Sequence, residues 1–197
     1  MGIHSDSNSD NKQPIPGILA RIDGSIWAIP KSELIGISSY TIDDDGVYNI
    51  EDENYQLPID NSFLVPDDEA MFSILDNIYD DMSTSLNLEQ GGVINNKGKF
   101  INGGIGNECD ANDPINKVRS AGDTWIIHDH KHSLSFWRDN TCGAFYPSGG
   151  DFNTAKNPFT NGIIVGRGFG RESFLFYNSS GFVLSIPNNY WINRRKK

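Results

Sequence analysis

Cysteine is scarce in this chain, and long apolar runs are absent. Cys109 and Cys142 are the only two cysteines among 197 residues. Two thiols leave the redox compartment open, because they are compatible with separate reduced side chains or with one disulfide. No apolar stretch approaches the roughly 20 residues that span a bilayer, so we expect no membrane partner.

Positive charge is also in short supply. The chain has 16 Lys and Arg against 26 Asp and Glu, a formal net charge of -10 at pH 7. Because phosphate binding needs clustered Lys and Arg, this balance argues against nucleic acid as a partner. The one basic cluster is residues 194–197, for which the sequence favours a solvated, frayed tail over an anionic docking site. The N-terminus lacks the basic start and apolar stretch of a signal peptide.

Turn-forming residues are abundant, with 20 glycines and 9 prolines, so strands should outnumber helices. A chain of this length fits one core-forming domain with a small appendage. Asp23-Gly24 predicts a two-residue hairpin turn, and residues 43–46 predict a turn between short strands. The resulting division is a disordered tail (1–13), a β-rich appendage or linker (14–60), a main domain (61–190) and a basic tail (191–197).

Helical spacing and period-two alternation divide the main domain into elements. Acidic residues after Pro66 begin a helix, where the helix dipole favours them. Its apolar positions are Met71, Phe72, Leu75, Ile78, Tyr79 and Met82, and it fades over 83–88. Strands are predicted at 89–94, 99–101, 123–128, 162–166, 173–177 and 182–186, with a loop over 102–117 and a short helix over 152–156. The glycine-rich residues 166–170 predict a hairpin connection, since no helix follows them as in a phosphate loop.

Histidine is rare but concentrated. Three of the four histidines, His128, His130 and His132, fall within five residues at the end of an apolar, β-branched run. Alternate side chains of a strand share a face, so His128 and His130 should project the same way. Two imidazoles and a nearby carboxylate form a common zinc site, with the fourth position left for water. His132 fits a surface position or a neighbour of the ligands better than a ligand.

The segment Ser148-Gly149-Gly150-Asp151 allows two interpretations. A serine at the N-cap and an acid three residues later form a capping box at the start of a helix. Asp151 also supplies a carboxylate that could complete the zinc site. The two interpretations are compatible, because capping would hold Asp151 at the metal.

Glu89, His128-Asp129-His130 and Ser148-x-x-Asp151 together resemble the signature of the JAMM (MPN+) metalloproteases. That signature is a Glu near the start of an early strand, then His-x-His, then Ser-x-x-Asp opening a helix. The resemblance covers residues 67–187 and is closest to the JAMM-like domains of bacterial polymorphic (Rhs-type) toxins. It implies an α/β fold in the mixed α+β sense: a curved mixed sheet flanked by helices, as in the MPN fold.

The resemblance also implies a role for each motif residue. His128, His130 and Asp151 would be the protein ligands of Zn2+, Glu89 the general acid and base, and Ser148 the donor to the oxyanion. The implied reaction is hydrolysis of an amide or isopeptide bond in a protein or peptide, in eukaryotic relatives often an isopeptide bond to ubiquitin. The toxin-like branch implies an effector domain. Its localisation stays open, because such a domain could lie in the cytoplasm or be secreted as part of a larger effector.

Two departures from the family pattern leave alternatives. Lys131 stands where family members usually have proline, and an aromatic-rich segment over 133–147 lengthens the gap before Ser148. That segment predicts either a substrate platform or lid, or extra cover for the core. Cys142 could reach the zinc or pair with Cys109. A blocked site would leave a non-catalytic MPN-like binding or scaffolding module, and a third hypothesis is a hydrolase acting on a non-peptide electrophile.

Overall fold

The computed structural model describes residues 13–80, 88–107, 111–130, 147, 149–155, 160–166 and 173–197. Within these ranges eleven strands belong to one mixed sheet, and short helices pack on both of its faces. The expected α/β class, in its mixed sense, is confirmed at this level. The helices in the described ranges are too short or too polar to traverse a bilayer.

The described residues form strands in both halves of the chain, with α-helices in the C-terminal two thirds. The strands are β1 (Ile15–Ile22), β2 (Ser25–Pro30), β3 (Tyr40–Ile42), β4 (Tyr48–Ile50), β5 (Phe63–Leu64), β6 (Gln90–Ile94), β7 (Phe100–Ile105), β8 (Trp125–His130), β9 (Asn161–Gly166), β10 (Ser173–Tyr177) and β11 (Val183–Pro187). The helices are α1 (Asp68–Ile74), α2 (Asn112–Val118), α3 (Gly149–Thr154) and α4 (Asn189–Arg195). Helix α1 continues as a π-helical turn over Leu75–Tyr79.

Strand order explains how distant segments meet. The sheet runs β3-β4-β1-β11-β10-β9-β8-β6-β7, and outside this order β2 pairs with β1 and β5 pairs with β2. Most neighbours are antiparallel, but β8 and β9 are parallel, from Trp125↔Asn161 to His130↔Gly166. Parallel neighbours need a crossover connection, and this crossover contains α3. The start of α3 therefore returns to the strand that carries His128.

Strand β8 separates two apolar layers. Trp125 and Ile127 pack into the large core beneath α1 and α4, whereas Ile126 packs with α2 on the opposite face. Period-two alternation then places His128 on the face of Ile126, where its ring contacts Tyr177. α2 and α3 cover the face of the sheet that carries His128, and we refer to it as the functional face.

The predicted N-terminal hairpin is confirmed. Asp23 and Gly24 have φ values of 49° and 78°, which a two-residue primed turn between β1 and β2 requires. β1 also pairs in parallel with β11, and Leu19 packs into the large core. Residues 14–60 therefore share a sheet and a core with the main domain, while their status as a separate appendage stays a prediction. Residues 1–12 of the predicted tail lie outside the described ranges.

Helix α1 begins where its acidic residues predicted. The Asp67 carboxylate caps the helix by accepting a hydrogen bond from the Ala70 amide at 2.8 Å. The strands predicted at 89–94, 123–128, 162–166, 173–177 and 182–186 are confirmed as β6, β8, β9, β10 and β11, with their ends shifted by at most two residues. β9 and β10 pair as the two arms of a hairpin. The predicted end of the first helix, including Met82, lies outside the described ranges.

The loop predicted over 102–117 is wrong, because this segment contains most of β7 and helix α2. The glycines that suggest a loop serve close packing instead. A Cβ on Gly103 would lie 2.0 Å from the carbonyl oxygen of Pro114, so only glycine lets α2 lie on β7. Pro114 occupies the first turn of α2, where its missing amide hydrogen costs no helical hydrogen bond.

The frayed tail favoured for residues 194–197 is also wrong. The C-terminus folds as α4, and Trp191 is fully buried and stacks on Phe174 with ring centroids 5.3 Å apart. Arg194 pairs with Asp45 and Asp68, which lie more than 120 positions earlier in the chain. Partly exposed ion pairs contribute about 0–1 kcal/mol each, so burial of the indole is the stronger anchor.

Gly162→Ala tests the packing beneath the functional face. A Cβ at Gly162 would lie 1.9 Å from Cζ of the buried Tyr177 ring. We expect the free energy of unfolding to fall by about 1–3 kcal/mol, measured by urea denaturation. Gly36→Ala is the matched control: its Cβ would meet no atom within 4 Å, and we expect a change of at most about 0.5 kcal/mol. Equal unfolding free energies for the two variants would contradict this packing.

Candidate functional site

Two predicted zinc ligands meet between β8 and α3. His128 Nε2 lies 3.2 Å from Asp151 Oδ1. Asp151 is the third residue of α3 and lies in its first turn, as the capping-box interpretation requires. The encounter follows from topology, because the crossover from β8 to β9 brings the start of α3 back over β8.

The imidazole is held by aromatic packing. His128 is only 3% exposed, and its ring meets the Tyr177 ring edge-on, with centroids 6.1 Å apart and planes at 78°. Tyr177 in turn packs edge-on against Phe152, the residue after Asp151. This stack positions the ring of His128, while the Asp151 side chain stays 21% exposed. The imidazole is therefore buried against aromatic rings, and the Asp151 carboxylate is partly exposed.

Electrostatics concentrate negative charge around the imidazole. Burial alone lowers the pKa of His128, but the carboxylates of Asp151, Glu89 and Asp129 outweigh it and raise that pKa above 6.5. Burial, and then the nearby Asp151, raise the pKa of Tyr177 well above 10, so its phenol stays neutral. A site with this balance of charges favours a bound cation.

Glu89 lies immediately before β6 and is 6% exposed. Its backbone amide donates to the carbonyl of Asn107 at 2.9 Å, and its carbonyl accepts from the amide of Gly106 at 2.7 Å. The neighbouring strands β6 and β8 align Gly91 with His128. Glu89 therefore reaches the same end of the sheet as the His128–Asp151 pair, and its charge acts on His128.

Sequence reasoning missed the part played by Asp129, the residue between the two histidines. Its side chain is fully buried, and its Oδ1 accepts a hydrogen bond from the Gln90 amide at 2.6 Å. The available signal was an acid inside an otherwise apolar strand, since a buried carboxylate needs a partner. Tyr177 was missed as well, because its contact with His128 depends on strand order alone.

Other predicted site residues lie wholly or partly outside the described ranges. The backbone of His130 completes β8, in register with Gly166, but its side chain is not described. The described ranges also exclude nearly all of the aromatic-rich segment 133–147 and five single residues, namely Ser148, Lys131, His132, Cys109 and Cys142. The oxyanion donor, the lid or platform and both thiol alternatives stay predictions.

Zinc fits the donors that are described. Two donors bound to one tetrahedral zinc at usual lengths lie roughly 3.3 Å apart, close to the 3.2 Å between His128 Nε2 and Asp151 Oδ1. Imidazole and carboxylate are both donors that zinc prefers. In the described ranges no three or more His, Cys, Asp or Glu side chains are grouped to hold a metal. Two of the three predicted ligands fall within those ranges, and the third is the His130 side chain.

Comparisons with known proteins give no relative for this chain: no family model, no curated protein and no solved structure matches it. The resemblance to JAMM metalloproteases therefore stays a prediction. Its physical support is the geometry at the ends of β6, β8 and α3.

The raised pKa of His128 predicts how the zinc-free protein responds to pH. The imidazolium stabilises the fold below its unfolded pKa of about 6.5, and this contribution is lost as pH rises through the higher folded pKa. In chelator-treated wild type we expect the free energy of unfolding to contain a component that declines as pH rises above about 6.5. Urea denaturation of His128→Asn should lack this component.

The control for this pH effect is His4→Asn, which removes an imidazole distant in sequence from the site. It should keep the wild-type decline. A His128→Asn protein whose stability falls with pH as steeply as the wild type would show that His128 is not the group responsible.

Proposed function

We propose that this chain is a zinc-dependent metallopeptidase domain of the JAMM type, with the MPN fold, that hydrolyses an amide or isopeptide bond. The observation that carries the proposal is the 3.2 Å approach of His128 Nε2 to Asp151 Oδ1, with Glu89 buried nearby. Charged groups are costly to bury without compensation, and packing alone gives no reason to collect them here. A bound dication would compensate them.

The ligand set proposed for zinc is His128, His130 and Asp151. When bound, the metal supplies a water whose pKa is lowered to about 7, and it polarises the substrate carbonyl. His128 contributes a fixed donor because its ring rests on Tyr177. Asp151 contributes a carboxylate from the first turn of α3, where capping by Ser148 would orient it.

Glu89 is proposed to move the protons. Its carboxylate would accept a proton from the attacking water and pass one to the leaving amine, the two halves of general acid–base catalysis. The backbone bonds of Glu89 to Gly106 and Asn107 hold it in place for this task. Ser148 would donate a hydrogen bond to the oxyanion of the tetrahedral intermediate.

The proposed substrate is a protein or peptide, with ubiquitin-like proteins as one class. The toxin-like branch of the resemblance supports an effector domain of a bacterial toxin system. The non-catalytic MPN-like module differs from this proposal in one testable respect, because it would bind metal without hydrolysing any substrate.

Glu89→Gln should strongly slow hydrolysis while keeping the metal. Loss of a positioned general base lowers kcat by about 10²- to 10⁴-fold, and the isosteric amide leaves the proposed ligands intact. The measurement is turnover of a panel of peptide, isopeptide and ester substrates, with zinc content determined by mass spectrometry. Glu53→Gln, at an exposed turn position, is the matched control and should remain fully active.

The outcomes separate the hypotheses. Zinc-loaded wild type that turns over no substrate supports the non-catalytic module, and a preference for esters over amides supports the non-peptide hydrolase. Full activity in Glu89→Gln would remove Glu89 from the mechanism.

Asp151→Ala should weaken zinc binding. Removing a direct ligand should cost more than the roughly 10- to 100-fold loss typical of residues that only support ligands. Competition with a chromogenic chelator measures the affinity. Asp113→Ala is the matched control, because Asp113 occupies the first turn of α2 as Asp151 occupies that of α3. Equal zinc affinity in the two variants would exclude Asp151 as a ligand.

A further inference from the structure

Asp129 has a feature that a zinc ligand set does not explain. It lies in β8 between His128 and His130, and its side chain is fully buried. A buried carboxylate is costly unless hydrogen bonds compensate it. Alternation along the strand sends its side chain to the face opposite His128, away from the proposed metal. The hydrogen bond that Asp129 makes therefore indicates its role.

One partner of Asp129 is the backbone amide of Gln90. Asp129 Oδ1 accepts its hydrogen bond at 2.6 Å. The pairing of β6 with β8 extends from Ile94↔Trp125 to Gly91↔His128. Gln90 is the next residue outward, so the carboxylate holds β6 to β8 at the position where this pairing stops.

The same peptide unit is also held at its other end. The carbonyl of Glu89 and the amide of Gln90 belong to one planar peptide group, which includes the Cα of Glu89. Gly106 donates to that carbonyl at 2.7 Å, and Asp129 accepts from that amide at 2.6 Å. Two hydrogen bonds from opposite neighbours therefore set the plane from which the Glu89 side chain projects.

We infer that Asp129 is a positioning residue that aims the Glu89 carboxylate at the reaction centre, an inference that rests on the proposed function. Asp129 acts through the Glu89–Gln90 peptide plane and touches neither metal nor substrate. Losing it should lower kcat and spare KM, because Asp129 acts on the proposed general base and not on substrate binding. An asparagine retains a carbonyl acceptor of the same shape and should substitute for it.

The test compares Asp129→Leu with Asp129→Asn. Misplacement by about 1 Å can cost roughly 100-fold in rate, so we expect kcat to fall about 10- to 100-fold in the leucine variant. In the asparagine variant kcat should stay within about three-fold of wild type, since the acceptor remains. KM should be unchanged in both, and any change in zinc affinity should be equal in the two variants, since both remove the charge of Asp129. Asp129→Ser, whose hydroxyl is too short to reach Gln90, replaces the leucine variant if that protein does not fold.

Amide hydrogen exchange supplies a readout independent of activity. The Gln90 amide should be protected in wild type and in Asp129→Asn, and should exchange faster in Asp129→Leu. Unchanged protection in the leucine variant overturns the inference, and so does faster exchange with wild-type kcat. Equal losses of kcat in the leucine and asparagine variants also overturn it, because charge would then matter rather than position.

Failure of this inference differs visibly from failure of the proposed function. If the wild type is active and Asp129→Leu has the same kcat, the positioning role is contradicted and the proposed metallopeptidase function stands. If the wild type shows no zinc-dependent hydrolysis, the proposed metallopeptidase function is contradicted, and so is a catalytic role for Asp129.

Discussion

Parallel pairing of β8 with β9 is the constraint on which the functional face depends. Parallel neighbours cannot be joined by a tight turn, so the chain must cross over the sheet between them. That crossover carries α3 and returns Asp151 to within 3.2 Å of His128. The same pairing sets the strand order that places Tyr177 beneath the imidazole. One topological requirement thus brings the two donors together and provides their support.

The fold followed from sequence wherever local chemistry decided it. The Asp23-Gly24 turn, the acidic start of α1 and the alternating strands are short-range features, and each was predictable. The segment 102–117 was not, because its glycines serve close contact with a helix rather than a loop. The C-terminal helix was also missed, since the acids that pair with Arg194 lie far away in the sequence.

The candidate site shows the same division. Glu89, His128 and Asp151 were singled out because their residue types and order resemble a metalloprotease signature, and the structure brings them to one end of the sheet. Asp129 and Tyr177 carry no such signature. Their contributions depend on a backbone amide in β6 and on a ring contact across the sheet, which only three-dimensional structure reveals.

The central claim is an open zinc site, and X-ray absorption at the zinc edge of the full, zinc-loaded chain tests it most directly. We expect nitrogen and oxygen donors at about 2.0–2.2 Å, with scattering from two imidazoles and without sulfur. A sulfur neighbour at about 2.3 Å would mean that a cysteine closes the site. That result, or a spectrum without imidazole, would contradict the assignment of His128, His130 and Asp151 as the ligands of a catalytic zinc.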